Sequence, residues 1–205
     1  MICVYLPFKT NTKNMEQKSQ ESLESRLQEL YDQMCDHAKV GDFWKNIPLA
    51  REMLRLMKEE TTESNRDDIL QLCEWVVTQK LLLDCETPRL ILSFMEFWSE
   101  LSHDEQRWAK AMHRLRRMID PNTPEEEKMK LMMEGRTLKN DPIQLTEAWE
   151  ENIYEVEKEL DEKYKGQSYF MGFCYEYWSA KRAALARRGI RWRSPALMNP
   201  HVRFD

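Results

Sequence analysis

Apolar residues recur every three or four positions along most of the chain, and this spacing places side chains on one face of an α-helix. The clearest stretch contains Trp149, Ile153, Val156 and Leu160. A helix with one apolar face must bury that face against another element. The pattern therefore predicts an all-α fold, an array or orthogonal bundle of about eight helices with an extended C-terminal strap.

Short polar residues and glycines mark the predicted ends of these helices. A Ser or Thr side chain can accept a hydrogen bond from the first turn, and a following proline or a Glu three residues later strengthens the signal. The predicted caps are Thr87, Ser102, Thr123 and Ser168. Gly166 and Gly189 follow the last two long helices, where a left-handed residue commonly ends a helix.

The spacing also predicts how the chain is organised. Residues 1–20 show no apolar period and are predicted to form a flexible arm, within which Met15 is a candidate natural start. Helical spacing begins at Ser22, and residues 21–189 are predicted to form one helical domain. Residues 190–205 contain two prolines and several large apolar side chains, so we expect a strap that packs on the domain or on a partner.

Composition limits the class of protein. Five glycines are too few for the turns of a β-rich fold, and no apolar run approaches the roughly 20 residues of a membrane helix. The five cysteines are an odd number without CxxC spacing, which indicates neither a disulfide framework nor a zinc site. A reducing, cytoplasmic location is therefore predicted, with no membrane association.

Charge is distributed unevenly near the C-terminus. Between Trp178 and Phe204 there are seven Lys or Arg and no acid, whereas residues 141–163 hold nine acids and two lysines. The candidate contacts to phosphate or nucleic acid are Lys181, Arg182, Arg187, Arg188, Arg191 and Arg193. These cations either bind phosphates or pair with the acids of 147–162, and the net charge of −5 favours pairing.

Aromatic residues crowd the last long helix and the strap. The predicted partner interface consists of Tyr169, Phe173, Tyr177, Trp178 and Trp192. At 100° per residue, the aromatic residues of the helix cover more than one face. Some rings are therefore expected at the surface, where they would mark an interface.

Patterns typical of catalysis or metal binding are weak. Glu100 and His103 have the Glu-x-x-His spacing of a di-iron site, but a second such pair is missing, so no metal is predicted. Cys85 lies beside Glu86 at a predicted helix end and Cys174 lies at core spacing, and neither is interpreted as a reactive thiol. The scattered glycines form no phosphate-binding loop, and no cofactor is predicted.

Three functional hypotheses remain open from the sequence. The favoured one is a non-catalytic helical interaction module that binds a protein partner or a second copy of itself, as in a homodimer. The second is a nucleic-acid-associated or regulatory protein that uses residues 181–193. The third is an enzyme whose site is assembled from distant helices, with Glu100, His103 and His113 as the first residues to test.

Overall fold

The computed structural model describes residues 16–167 and 170–204, with side chains from residue 23 onward. Met15, Ser168 and Tyr169 lie outside the described residues, as does most of the predicted arm. The described residues contain nine α-helices, two short 3-10 helices and no strand, which confirms the all-α prediction. None of these helices combines the length and apolar character that crossing a lipid bilayer requires.

The helices follow one another with short connections. The α-helices are α1 Glu16–Val40, α2 Asn46–Glu60, α3 Arg66–Thr78, α4 Pro88–Ser102, α5 Ala109–Ile119, α6 Glu125–Met133, α7 Glu147–Tyr164, α8 Phe173–Ala186 and α9 Pro195–Met198. The 3-10 helices are Phe43–Lys45 and Pro142–Leu145. Helix α1 begins several residues before the predicted start at Ser22.

The chain divides into two compact units. The first unit comprises the described residues up to 83 together with 90–112, and the second comprises 84–89 and 113–204. Whether 21–189 folds as one domain stays a prediction.

The first unit has an apolar core built mainly from α1, α2, α3 and most of α4. Met34, Met53 and Phe94 are fully buried in it. A polar group also lies in this core, because the side chain of Asn46 is completely buried. Its amide nitrogen donates to the carbonyls of Met34 at 3.0 Å and Leu81 at 2.9 Å. This side chain thus joins the loop after α3 to α1.

The second unit is organised around α7 and α8. The predicted apolar face of α7, from Trp149 to Leu160, is buried as expected. Helix α7 begins where Thr146 accepts a hydrogen bond from the backbone N–H of Trp149 at 3.3 Å. Helix α8 ends at Gly189, whose φ of 77° is left-handed, and Ile190 N–H bonds back to Leu185 C=O at 3.0 Å. The predicted glycine cap is confirmed.

Two predicted caps are wrong. Ser102 is the last residue of α4, and His103 has a φ of 57°, so Ser102 does not cap α5. Asp104 instead accepts hydrogen bonds from the N–H groups of Gln106 at 2.8 Å and Arg107 at 3.2 Å. The Thr123 hydroxyl makes no capping bond to α6 either. The bonds to Asp104 lie in the bend that precedes α5, which begins only at Ala109.

Helix α8 also begins later than the sequence predicts. Its first residue is Phe173, and the preceding Gly172 has a left-handed φ of 86°. Phe170 and Met171 therefore lie in the connection before α8 rather than on its first turn. This shift decides which apolar side chains face the core and which face the solvent.

Candidate interaction surface

Most of the basic residues near the C-terminus are paired within the second unit. Arg187 and Arg188 both contact the carboxylate of Glu159, and Arg193 lies 2.9 Å from Asp141 and 2.8 Å from Glu125. These contacts neutralise the cations that a phosphate would need. Arg187 and Arg188 thus pair with an acid of 147–162, whereas both partners of Arg193 lie outside that range.

Two of the six cations have no ion pair among the described residues. Arg182 lies exposed on α8, and Arg191 lies exposed at the start of the strap. Arg191 lines a surface pocket of about 460 Å³ together with Lys128 and Arg193. Because the Asp141 and Glu125 that pair with Arg193 also line it, this pocket is electrostatically mixed.

Lys181 occupies a different environment, because its side chain is buried. The residue is only 6% exposed, and its ammonium group donates to Glu157. It lies over the rings of Trp149 at 5.3 Å and Trp192 at 5.1 Å, within the range of a cation–π interaction. The hydroxyl of Tyr177 donates to the same carboxylate. We call Lys181, Glu157, Tyr177, Trp149 and Trp192 the lysine cluster.

The electrostatics of the lysine cluster favour its charged pair. Burial alone lowers the pKa of Lys181, but the carboxylates of Glu157 and Glu86 outweigh burial and raise it. Burial also raises the pKa of Tyr177, with a further contribution from Glu157. Glu86 has a raised pKa because burial penalises its charge more than Lys181 stabilises it. The ammonium group of Lys181 and the hydroxyl of Tyr177 are therefore both paired with the carboxylate of Glu157, whereas the indole N–H of Trp149 is buried without a hydrogen-bond partner.

Three of the predicted interface residues belong to the interior of the second unit. Phe173 and Trp192 are buried, and Tyr177 is half-buried with its hydroxyl on Glu157. Trp178 is half-buried at the rim, while Tyr169 lies outside the described residues. An aromatic interface at this helix would therefore be formed mostly by side chains other than the predicted ones.

A group of apolar side chains on and before α8 is open to solvent. Phe170 is 58% exposed, Met171 86% and Tyr175 47%. The half-buried ring of Trp178 packs edge-on against Tyr175 at 5.6 Å and against Phe204 at 5.1 Å. We call Phe170, Met171, Tyr175, Trp178 and Phe204 the α8 surface. Of these five residues, only Trp178 belongs to the partner interface predicted from the sequence, although Phe170 and Tyr175 lie in the same aromatic segment.

The spacing of the aromatic residues indicates that some of the rings on α8 are exposed. Phe173 and Tyr177 are four residues apart and share the inner face, whereas Tyr175 and Trp178 lie on the other side of α8. Periodicity shows that two faces exist. It does not show which face is inside, since both carry aromatic rings.

The outward face of α8 continues beyond the rings. Glu176, Ser179, Arg182 and Ala183 are all exposed. Glu176 and Arg182 have opposite charge, and neither forms an ion pair with a described residue. This part of the helix thus combines small side chains with two charges left to solvent.

Glu100 and His103, which have the Glu-x-x-His spacing, are both in the first unit and are not placed as a pair of metal ligands. His103 follows the end of α4 in a left-handed conformation, which separates it from the exposed Glu100. Cys85 is buried, and burial raises the pKa of its thiol to about 12. Within the part of the chain that the structure describes, no group of three His, Cys, Asp or Glu side chains is placed to hold a metal ion.

Comparisons with protein-family models, with curated proteins and with solved structures found no significant match to this chain. Function is therefore inferred from the physical features of the α8 surface and of the lysine cluster.

Proposed function

We propose that this protein is a non-catalytic helical interaction module that binds a protein chain through the α8 surface. The observation that carries the proposal is the exposure of Phe170, Met171 and Tyr175 beside two further aromatic rings. Single exposed apolar residues are common on folded proteins, whereas adjacent ones with aromatic rings are typical of binding sites. Aromatic and Met side chains are also enriched at protein interfaces.

The chemistry of the α8 surface suits a protein partner. Covering a large apolar side chain contributes about 1.5–3 kcal/mol, so Met171 and its neighbours supply enough free energy for a specific contact. Tyr175 and Trp178 already pack against each other, so their side chains lose less conformational entropy when a partner binds. Arg182 beside them offers a charged group for orientation.

Pairing within the chain argues against the nucleic-acid hypothesis. Lys181, Arg187, Arg188 and Arg193 contact acidic side chains of the second unit, so a phosphate backbone must displace those contacts before it can bind. That competition lowers the affinity for nucleic acid. The exposed apolar rings of the α8 surface involve no such competition, because they are already open to a partner.

Photo-crosslinking of the full chain tests the proposal. Met171 is replaced by p-benzoylphenylalanine, and exposed Val40 on the first unit receives the same replacement as the control. We expect a discrete protein adduct from position 171 that position 40 does not give. The captured protein is then identified, purified and titrated against the wild-type chain and the double variant Met171→Ser, Tyr175→Ser.

The titration decides between a specific site and incidental contact. The double variant is expected to weaken binding at least tenfold, because two apolar anchors are lost, while Val40→Ser leaves affinity unchanged. Equal crosslinking from both positions, or an affinity that ignores the double variant, contradicts the proposed function.

A further inference from the structure

We infer that the protein bound at the α8 surface is a second copy of this chain, with the two α8 helices packed antiparallel about a two-fold axis at Ser179. The inference rests on the proposed function and names its partner. It follows from the order of side chains along the exposed face of α8. This face is complementary to the same face of a second α8 helix that runs in the opposite direction.

The exposed face permits a close approach between helices. Ser179 lies at its centre, with Ala183 one turn later and Ala186 near the end of α8, and all three are exposed. The distance between two packed helices is set by the side chains between them, so small residues at the crossing allow a short one. Helix α8 has 14 residues, which corresponds to a length of about 21 Å.

Reversal about Ser179 places a large side chain against a small one. Tyr175 precedes Ser179 by four residues, and Ala183 follows it by four. In an antiparallel pair the Tyr175 ring of each copy therefore lies over Ala183 of the other. A ring on a methyl group fills space without a clash, and the two-fold axis repeats the contact.

The same reversal brings opposite charges together. Glu176 precedes Ser179 by three residues and Arg182 follows it by three, so Glu176 of each copy faces Arg182 of the other. Both side chains are exposed and lack an ion pair among the described residues. A different partner would not require these two residues to complement each other, whereas a two-fold pair does.

The aromatic residues lie where they extend this contact. Trp178 packs edge-on against Tyr175 and against Phe204 from the strap, so each strap lies beside the crossing helices. Met171, 86% exposed, precedes α8 and reaches past the end of the paired helix. The apolar rings and the two facing pairs of Glu176 with Arg182 together favour this register of the two helices over others.

Charge reversal at the two facing positions tests the inference. The mass of the wild-type chain in solution, measured by light scattering, is expected to reach twice 24.8 kDa as concentration rises. Glu176→Arg places two arginines against each other in the pair, and Arg182→Glu places two glutamates against each other. Because like charges facing each other oppose association, each single variant is expected to weaken the dimer at least tenfold.

Mixing the two variants gives the decisive result. In the mixed pair the arginine introduced at position 176 faces the glutamate introduced at position 182, and the unchanged Arg182 faces the unchanged Glu176. Equal amounts of the two weakened variants are therefore expected to regain the dimer mass. The double variant Glu176→Arg, Arg182→Glu in one chain is expected to dimerise as well.

A matched control separates position from charge. Glu162→Arg makes the same charge change at an exposed position of α7 and should leave the dimer intact. Far-ultraviolet circular dichroism verifies that every variant remains helical.

The outcomes separate this inference from the proposed function. If mixing leaves both variants monomeric although wild type dimerises, the antiparallel register is overturned. If wild type stays monomeric up to about 200 µM, the second copy is overturned. In that case crosslinking from position 171 to a different protein still supports the interaction module, and absence of any adduct removes both.

Discussion

The contribution of the buried ion pair between Lys181 and Glu157 to the packing of α7 against α8 can be measured by substitution. Lys181→Met removes the ammonium group and keeps an unbranched side chain that still fits between Trp149 and Trp192. Glu157, only 7% exposed, is then left with the Tyr177 hydroxyl as its remaining hydrogen-bond donor. The perturbation therefore leaves an uncompensated buried carboxylate.

The expected loss of stability is large. Removing one partner of a buried pair costs about 3–5 kcal/mol, because the remaining charge has lost both water and its counter-ion. Loss of the cation–π contacts to Trp149 and Trp192 adds to this cost, while the thioether of methionine recovers some packing. We expect Lys181→Met to lower the free energy of unfolding by about 4 kcal/mol. Such a loss is a large part of the roughly 5–15 kcal/mol typical of folded domains.

Urea unfolding followed by circular dichroism measures this loss. With a slope of about 2 kcal/mol per molar urea, the midpoint should fall by about 2 M. Lys158→Met, at an exposed position of α7, is the matched control and should change the free energy of unfolding by about 0.5 kcal/mol or less. The second variant to compare is Lys181→Met with Glu157→Gln, which removes both charges.

The double variant distinguishes a charge effect from a packing effect. Neutralising Glu157 as well removes the unpaired carboxylate, so about half or more of the lost stability should return. A midpoint for Lys181→Met within about 0.3 M of wild type refutes the reasoning, since it shows that the pair does not hold the helices together. A double variant as unstable as the single one shows that packing, rather than charge, sets the cost.

Three further predictions follow from single residues. Gly189→Ala puts a side chain on a left-handed residue with open space around it, so strain alone should lower the free energy of unfolding by about 1–2 kcal/mol in a urea titration. Asn46→Ala leaves the carbonyls of Met34 and Leu81 without their buried donor and should cost about 1–3 kcal/mol; a cost near zero contradicts the assigned bonds. Burial raises the pKa of Glu86, so the folded state binds its proton more tightly than the unfolded state, and stability falls as pH rises from the ordinary value of 4.5 through the raised one. Glu86→Gln should therefore gain stability over wild type at about pH 8 and lose that advantage at about pH 4, measured by urea unfolding at both values.

Much of the architecture could be predicted because helices are encoded locally. The apolar face from Trp149 to Leu160 follows from side chains three and four residues apart, and Gly189 follows from a backbone conformation that glycine adopts without strain. Both features depend on neighbours in the sequence. The exact start of a helix is less predictable, as α5 shows, because it begins at Ala109 although a capping residue is predicted at Ser102.

The lysine cluster could not be predicted from the sequence. A lysine on a helix is almost always exposed, so Lys181 is interpreted as part of a basic surface. Its burial requires Glu157 from α7 and Trp192 from the strap, and neither contact follows from local spacing. The same limit applies to the α8 surface, where Phe204 reaches Trp178 from beyond the end of the helix.

The origin of the Trp192 ring has a consequence for how the ion pair is shielded from water. This ring lies over the Lys181 ammonium group at 5.1 Å and comes from the strap, which belongs to neither α7 nor α8. Removing the ring would leave the ammonium group closer to solvent, where an ion pair contributes less to stability. The contact between the two helices thus depends on a segment that follows both of them in the sequence.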